Sequence, residues 1–309
     1  MQSFHSLPLF IALLLAANPG VALALLQPTN VTITIPTGSN NTGAGNSAAT
    51  AFTDDILLSS LTFSGSTFLT NSGNVQPIQA TFIASGNANV NAEFGDNDTN
   101  SDGNDNPFVK AGITAPGAPI PLAIQESVDP NIQNTTITEA FSDLSINEGV
   151  DGEGPQYVMD LYFTKSIIDN RAGTDVVPEI IAFERGLNSS FDLQVIYGGT
   201  YGSPLLSQIV SVAATDMFAT GIFINTSEIT SGQQLGVVGI DLSDFGLSAS
   251  TAALGVRITS TGNSGADLYG VFVNAENASQ LTPFTIPEPS SVALAVSALG
   301  LLAFAKKRK

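Results

Sequence analysis

Asp98, Asn100 and Asp102 alternate along GDNDTNSDGNDNPFVK, Gly95 to Lys110, and Gly103 follows them. Side-chain oxygens at the first, third and fifth positions of such a stretch converge on one hard cation. Glycine at the sixth permits the sharp turn that wraps it. The chemistry implied is calcium binding. Only half of a calcium loop is present, because the twelfth position is Val109, which has no carboxylate to close the shell. Nor do helix-forming stretches flank it. Two readings stand: a solvated loop rich in turn formers, and a weak calcium site at the millimolar end expected of extracellular modules. A second acidic group, Glu148, Asp151 and Glu153 in NEGVDGEGP, reads as a surface turn.

Catalytic groups are scarce. The single histidine is His5 and there is no cysteine. Ser-His-Asp and Cys-His arrangements are therefore out of reach of the main body, as are most zinc sites. A pair of carboxylates working on a glycosidic bond remains formally open. Sugar clefts usually stack rings on Trp or Tyr, and the chain has no Trp and five Tyr. The expectation is a protein that is not an enzyme, with a carboxylate-dependent carbohydrate-active enzyme as the alternative. Glu184 and Arg185 in FERG read as a structural ion pair or strand-end charges.

The 309 residues carry a formal net charge of -18, yet only 12% are charged. Hydrophobic residues make up 43%, enough for a sizeable core. Polar surface must then come from Ser, Thr, Asn, Gly and Gln. Between Leu25 and Ile286 five cations (Lys110, Lys165, Arg171, Arg185, Arg257) face 26 carboxylates, a net of -21. Such a surface repels nucleic acid and anionic head groups and attracts divalent cations or basic partners.

The elements that would position these groups read as strands. VTITI (Val31 to Ile35), ILLSSLTF (Ile56 to Phe63) and IQATFIA (Ile78 to Ala84) alternate or run apolar, as do YVMDLYF (Tyr157 to Phe163), EIIAF (Glu179 to Phe183) and FDLQVIY (Phe191 to Tyr197). MFATGIFI (Met217 to Ile224), LGVVGIDL (Leu235 to Leu242), ALGVRITS around Leu254 and DLYGVFV (Asp267 to Val273) complete the series. All are short, β-branched or aromatic, and divided by Gly, Asn, Ser or Pro. No long stretch holds a helical period. The fold class expected is all-β, an antiparallel β-sandwich or jelly-roll-like ectodomain over residues 25–285, with the acidic segment near 95–110 in a long insertion. A boundary near 115–135 is the other possibility. The three or four strands before it are too few to close a core alone.

Both ends read as addresses. MQSFHSLPLFIALLLAANPGVALA has an apolar stretch from Leu7 to Ala17 and small residues at Ala22 and Ala24, so residues 1–24 read as a signal peptide cut after Ala24. The other end is IPEPSSVALAVSALGLLAFAKKRK, residues 286–309. Ser290 to Ala305 is uncharged and apolar on every face. As a helix it would span about 24 Å at roughly 1.5 Å per residue, against about 30 Å of bilayer core. Lys306, Lys307, Arg308 and Lys309 would snorkel to the head groups and hold the tail cytoplasmic, leaving the body on the far side. The membrane would be touched only through this helix.

The order Pro287-Glu288-Pro289, apolar segment, basic tail resembles the PEP-CTERM sorting signal of Gram-negative bacteria that make extracellular polysaccharide. The resemblance implies recognition by an exosortase, a membrane-embedded cysteine transpeptidase, removal of the helix near Pro287-Glu288-Pro289, and delivery of the body to the cell surface or matrix. The prolines keep such a segment extended and free of ladder hydrogen bonds. EIIAFERGLNSSFDLQVIYGG (Glu179 to Gly199) and GADLYGVFV (Gly265 to Val273) resemble parts of β-sandwich ectodomains in exosortase-sorted proteins. The expectation is an exported, non-catalytic surface or matrix protein, processed by signal peptidase and exosortase. Its partners would be exopolysaccharide or neighbouring surface proteins, with no nucleic acid. A permanently anchored binding module that is never cut is the other outcome.

Overall fold

A computed structural model describes residues 25–34, 57–70, 75–76, 78–84, 89–91, 141, 144–146, 149–151, 158–169, 177–200, 203–224, 233–261 and 265–284. These residues form strands joined by turns and three short 3-10 turns, and no α-helix occurs among them. Every strand pairing among them is antiparallel. The ten expected strands all occur, with ends moved by a few residues. The acidic segment 95–110 and both expected address segments lie outside the described residues.

Three sheets result. A three-stranded sheet orders β1 (Asn30–Thr34), β2 (Leu57–Phe63) and β3 (Ser66–Leu69). An inner sheet runs β13 (Phe218–Ile224), β14 (Gln233–Ile240), β9 (Ile180–Arg185), β16 (Leu268–Asn274), β7 (Gly149–Asp151) and β6 (Asn89–Asn91), with β4 (Val75–Gln76) also on β16. An outer sheet runs β11 (Ser203–Leu206), β10 (Ser190–Thr200), β15 (Ala253–Thr261), β8 (Val158–Ile167) and β17 (Leu281–Pro283). In it β12 (Val210–Val212) pairs with β10, and β5 (Ile78–Ala84) with β8. The early strands β4, β5 and β6 are thus built into sheets completed by later ones. Of the second acidic group, Asp151 ends a strand, Gly149–Asp151, and is not in a turn, with Val150 opposite both Val90 and Leu268, while Glu148 and Glu153 lie outside the described residues. Val150 brings β propensity to a stretch whose flanks are Gly and acid, and backbone pairing to two neighbours fixes it.

Side chains on a strand alternate between faces, and on the inner sheet both faces are apolar. Ile180 and Ala182 of β9 join one core cluster, while Ile181 and Phe183 join another. Strand β16 divides likewise, Leu268, Val271 and Val273 against Tyr269 and Phe272, and β14 divides Val238 and Ile240 from Leu235 and Val237. The first cluster is shared with the outer sheet through Met159, Leu161, Phe191, Leu193, Val195, Val256 and Ile258. The second is shared with the three-stranded sheet through Leu58, Leu61, Phe63 and Phe68. Hence β9 and β16 are buried along their whole length. Strand β10, apolar on one face only, alternates: Phe191, Leu193 and Val195 are buried while Asp192 and Gln194 are partly exposed. Gly239 lets the layers approach, since a Cβ there would fall 2.4 Å from Pro178 and 2.8 Å from Phe63. The same residue exchanges two backbone hydrogen bonds with Leu26, at 2.8 and 2.7 Å, where β13 no longer covers β14.

Phe183 meets Phe272 edge to face, ring centroids 5.8 Å apart, in the second cluster. Phe183→Ala is expected to cost about 3–5 kcal/mol, read as a lower denaturant midpoint at unchanged slope. A loss near zero would contradict burial on that face.

Candidate functional site

The charges that the described structure brings together lie at the end of β9. Its last two residues, Glu184 and Arg185, are buried at 0% and 1% exposure. The chain then turns through Gly186 and Leu187, both at positive φ (105° and 53°). A non-glycine residue in that region is uncommon and needs support from its surroundings. Glu184 supplies some, because its Oε2 accepts the Leu187 N–H at 2.7 Å. The Leu187 side chain packs against the first core cluster.

Arg185 does not pair with its neighbour Glu184. Its Nη2 donates to Asp267 Oδ2 at 3.0 Å, and its guanidinium sits 5.1 Å from the centre of the Tyr269 ring. Its backbone N–H also donates to Asp267 O at 2.9 Å. The ion pair expected within FERG is therefore made across the sheet, to the residues that enter β16. Adjacent residues of a strand point to opposite faces, so Glu184 and Arg185 cannot share one partner face. Burial, then the Asp267 charge, push the Glu184 carboxyl up to about 8, although the Leu187 amide and Arg185 pull the other way. Glu184 is thus mostly protonated at neutral pH.

Two further charged arrangements occur. On the outer sheet Asp160 of β8 stands directly opposite Arg257 of β15, bound through both oxygens at 2.7 and 3.0 Å. Burial raises the Asp160 carboxyl, with Arg257 opposing. After β14, Asp241 Oδ1 accepts the Ser243 N–H at 2.7 Å and Glu179 Oε2 the Leu242 N–H at 3.1 Å, capping the turn Leu242–Phe245. Burial and the Asp241 charge push Asp244 up to about 6. Among the described residues no group of three or more His, Cys, Asp or Glu is arranged to hold a metal ion. Glu179 and Asp241 cap a turn, Glu184 braces a positive φ, and Asp160 holds two strands in register.

The sites expected from sequence fall elsewhere. Asp98, Asn100 and Asp102 lie outside the described residues, as do Pro287, Glu288 and Pro289 and the cations Lys306, Lys307, Arg308 and Lys309. Among the described residues no helix is long and apolar enough to cross a membrane. The Arg185–Asp267–Tyr269 contact had no local signal, since Arg185 lies 82 positions from Asp267.

The raised Glu184 carboxyl has a pH consequence. Its folded value lies above its ordinary value of 4.5, so the folded state holds the proton more tightly. Its contribution to stability is fully present below about pH 4.5 and is lost as pH rises through about 8. Glu184→Gln keeps an acceptor for Leu187 and is expected to flatten that decline, raising stability at pH 8.5 by about 1–2 kcal/mol relative to the parent. Melting temperatures of both proteins from pH 5 to 9 check this, and parallel curves would refute it.

Neither the curated proteins nor the solved structures gave a match to this chain. A match came at the C-terminus, where residues 285–309 fit the PEP-CTERM protein-sorting motif. The match spans the triplet Pro287-Glu288-Pro289, the apolar segment and the four terminal cations. The chain carries a PEP-CTERM sorting signal, which implies an exported protein handled by an exosortase.

Proposed function

We propose that this is a non-catalytic surface or matrix protein whose folded body is handed over by an exosortase and then associates with exopolysaccharide or neighbouring surface proteins. The observation that carries the proposal is the sorting motif at residues 285–309. Residues 1–24 act as the leader removed by signal peptidase, and 25–285 form a β-sandwich, jelly-roll-like ectodomain. Two seven-stranded sheets with one shared apolar cluster support that architecture. A body with five cations against 26 carboxylates, and a surface of hydroxyls and amides, suits a hydrated, uncharged or cation-bridged matrix. The buried carboxylates Asp160, Glu179 and Glu184, at no more than 1% exposure, are enclosed in the core away from any polymeric substrate.

In a Gram-negative host with an exosortase, mass spectrometry of the surface fraction is expected to find the body without its basic tail. Deleting the exosortase gene should leave the tailed form in the membrane. An intact 309-residue product in the cytosol would overturn the proposal. Turnover of a polysaccharide that a single Asp or Glu replacement abolishes would replace it with the carbohydrate-active alternative.

Calcium bridging is the second part of the proposal, with Asp98, Asn100 and Asp102 as ligands. Millimolar calcium is expected to raise the melting temperature by a few degrees, and Asp98→Ala with Asp102→Ala should remove the rise. An equal rise in that double variant rejects the site.

A further inference from the structure

The small sheet of β1, β2 and β3 covers the second core cluster with one face and turns the other outward. Its strands NVTIT, LLSSLTF and STFL, and the Ser64-Gly65 turn between the last two, hold no charged residue, in a chain whose net charge is -18. Val31, Ile33, Leu61, Phe63 and Phe68 belong to or pack against the second cluster. Alternation sends the intervening residues to the other face, and the register sets them in rows across the strands. Asn30, Thr62 and Thr67 form one row, and Thr32, Ser60 and Leu69 the next. Asn30, Thr32, Thr67 and Leu69 are exposed, and Thr62 is half-buried. The hydroxyls are bonded to one another across the strands, Thr32 with Ser60, and Thr62 with Thr67 at 3.0 Å.

We propose that this hydroxyl face is where the protein meets polysaccharide, and that the polymer it takes is uncharged. The inference deepens the exopolysaccharide association proposed above and rests on it. A sugar hydroxyl both donates and accepts hydrogen bonds, and so do Thr, Ser and Asn side chains, so each contact is met in either sense. A carboxylate only accepts and an ammonium only donates, and the face holds neither. Strands lie about 4.8 Å apart, so the rows offer polar groups at steps on the scale of one sugar ring. The Thr side chains are branched at Cβ and stiff, and their mutual bonds hold them in place, so docking costs little rotamer freedom. Leu69, 46% exposed on the edge strand β3, supplies an apolar contact for the C–H face of a ring. An acidic polysaccharide finds no cation on these strands, and the protein's net negative charge repels it. The two rows contain no aromatic ring, so each contact is weak, and firm attachment comes from many copies engaged along one polymer.

The test is affinity electrophoresis of the protein purified from the surface fraction of its host. Native gels are cast with dextran, hydroxyethyl cellulose, galactomannan or alginate, the last a uronate polymer, and mobility is compared with that in a gel without polymer. Retardation is expected with at least one of the three uncharged polymers and not with alginate. Thr32→Val with Thr67→Val keeps branched, strand-forming side chains and removes two hydroxyls, so about tenfold more polymer should be needed for the same retardation. Thr67→Glu puts a carboxylate into its row and should weaken retardation at least as much. Ser211→Ala with Thr259→Val removes two hydroxyls from the outer sheet and should change nothing. Melting temperatures close to the parent's show that each variant is folded. Retardation that survives the β1 and β3 variants, or that falls equally in the outer-sheet pair, overturns the face and leaves polysaccharide association standing, as does retardation by alginate alone. No retardation by any of the four polymers overturns the face and polysaccharide association together, leaving neighbouring surface proteins as the partners.

Discussion

Two-sided burial of one sheet organises this molecule. Strands β9, β14 and β16 are covered on one face by the outer seven-stranded sheet and on the other by the small sheet of β1, β2 and β3. A strand in that position cannot alternate apolar with polar, because water reaches neither face. Strand β9 is aliphatic or aromatic until its end, where its charged residues Glu184 and Arg185 sit. There the Arg185 guanidinium finds both a carboxylate and an aromatic face. Leaving the Arg185 charge buried without Asp267 would be strongly unfavourable, so the contact fixes the register of β9 against the entry to β16.

The same economy governs the charges elsewhere. In a chain with few charged residues, several of the buried ones serve backbone geometry. Glu184 braces a turn with a left-handed leucine, Asp241 and Glu179 cap a 3-10 turn, and Asp160 with Arg257 ties two strands directly opposite each other. Carboxylates raised by burial often mark catalytic centres. For Glu184 and Asp244 the causes are desolvation and a neighbouring acid group, and for Asp160 desolvation opposed by Arg257.

Much of this was legible in the sequence, and the exceptions share causes. Runs such as VTITI, IQATFIA and FDLQVIY announce strands through β-branched residues and alternation, and they occur as such. The sorting motif is linear, so three residue classes in order suffice to recognise it. Two-sided burial of EIIAF and LGVVGI was not legible, because an apolar run does not say how many layers cover it. Strands β11, with sequence SPLL, and β17, with LTP, escaped because each holds a proline and three or four residues. Pairing to a neighbour makes them strands, and propensity does not. The Arg185–Asp267 contact escaped for the same reason: its partners are 82 positions apart.

The bridge between Leu26 and Gly239 has a kinetic side. Like the pairings of Gln76 with Val273 and of Ile78 with Phe163, it joins the earliest described residues to much later ones. High contact order makes folding slow, because distant segments must meet before hydrogen bonds repay the lost chain entropy. Here Leu26 and β4 meet their partners only once synthesis has passed Gly239 and Val273, both in the last third of the chain. A chain wired in this way stays open through most of its synthesis and acquires its compact shape late.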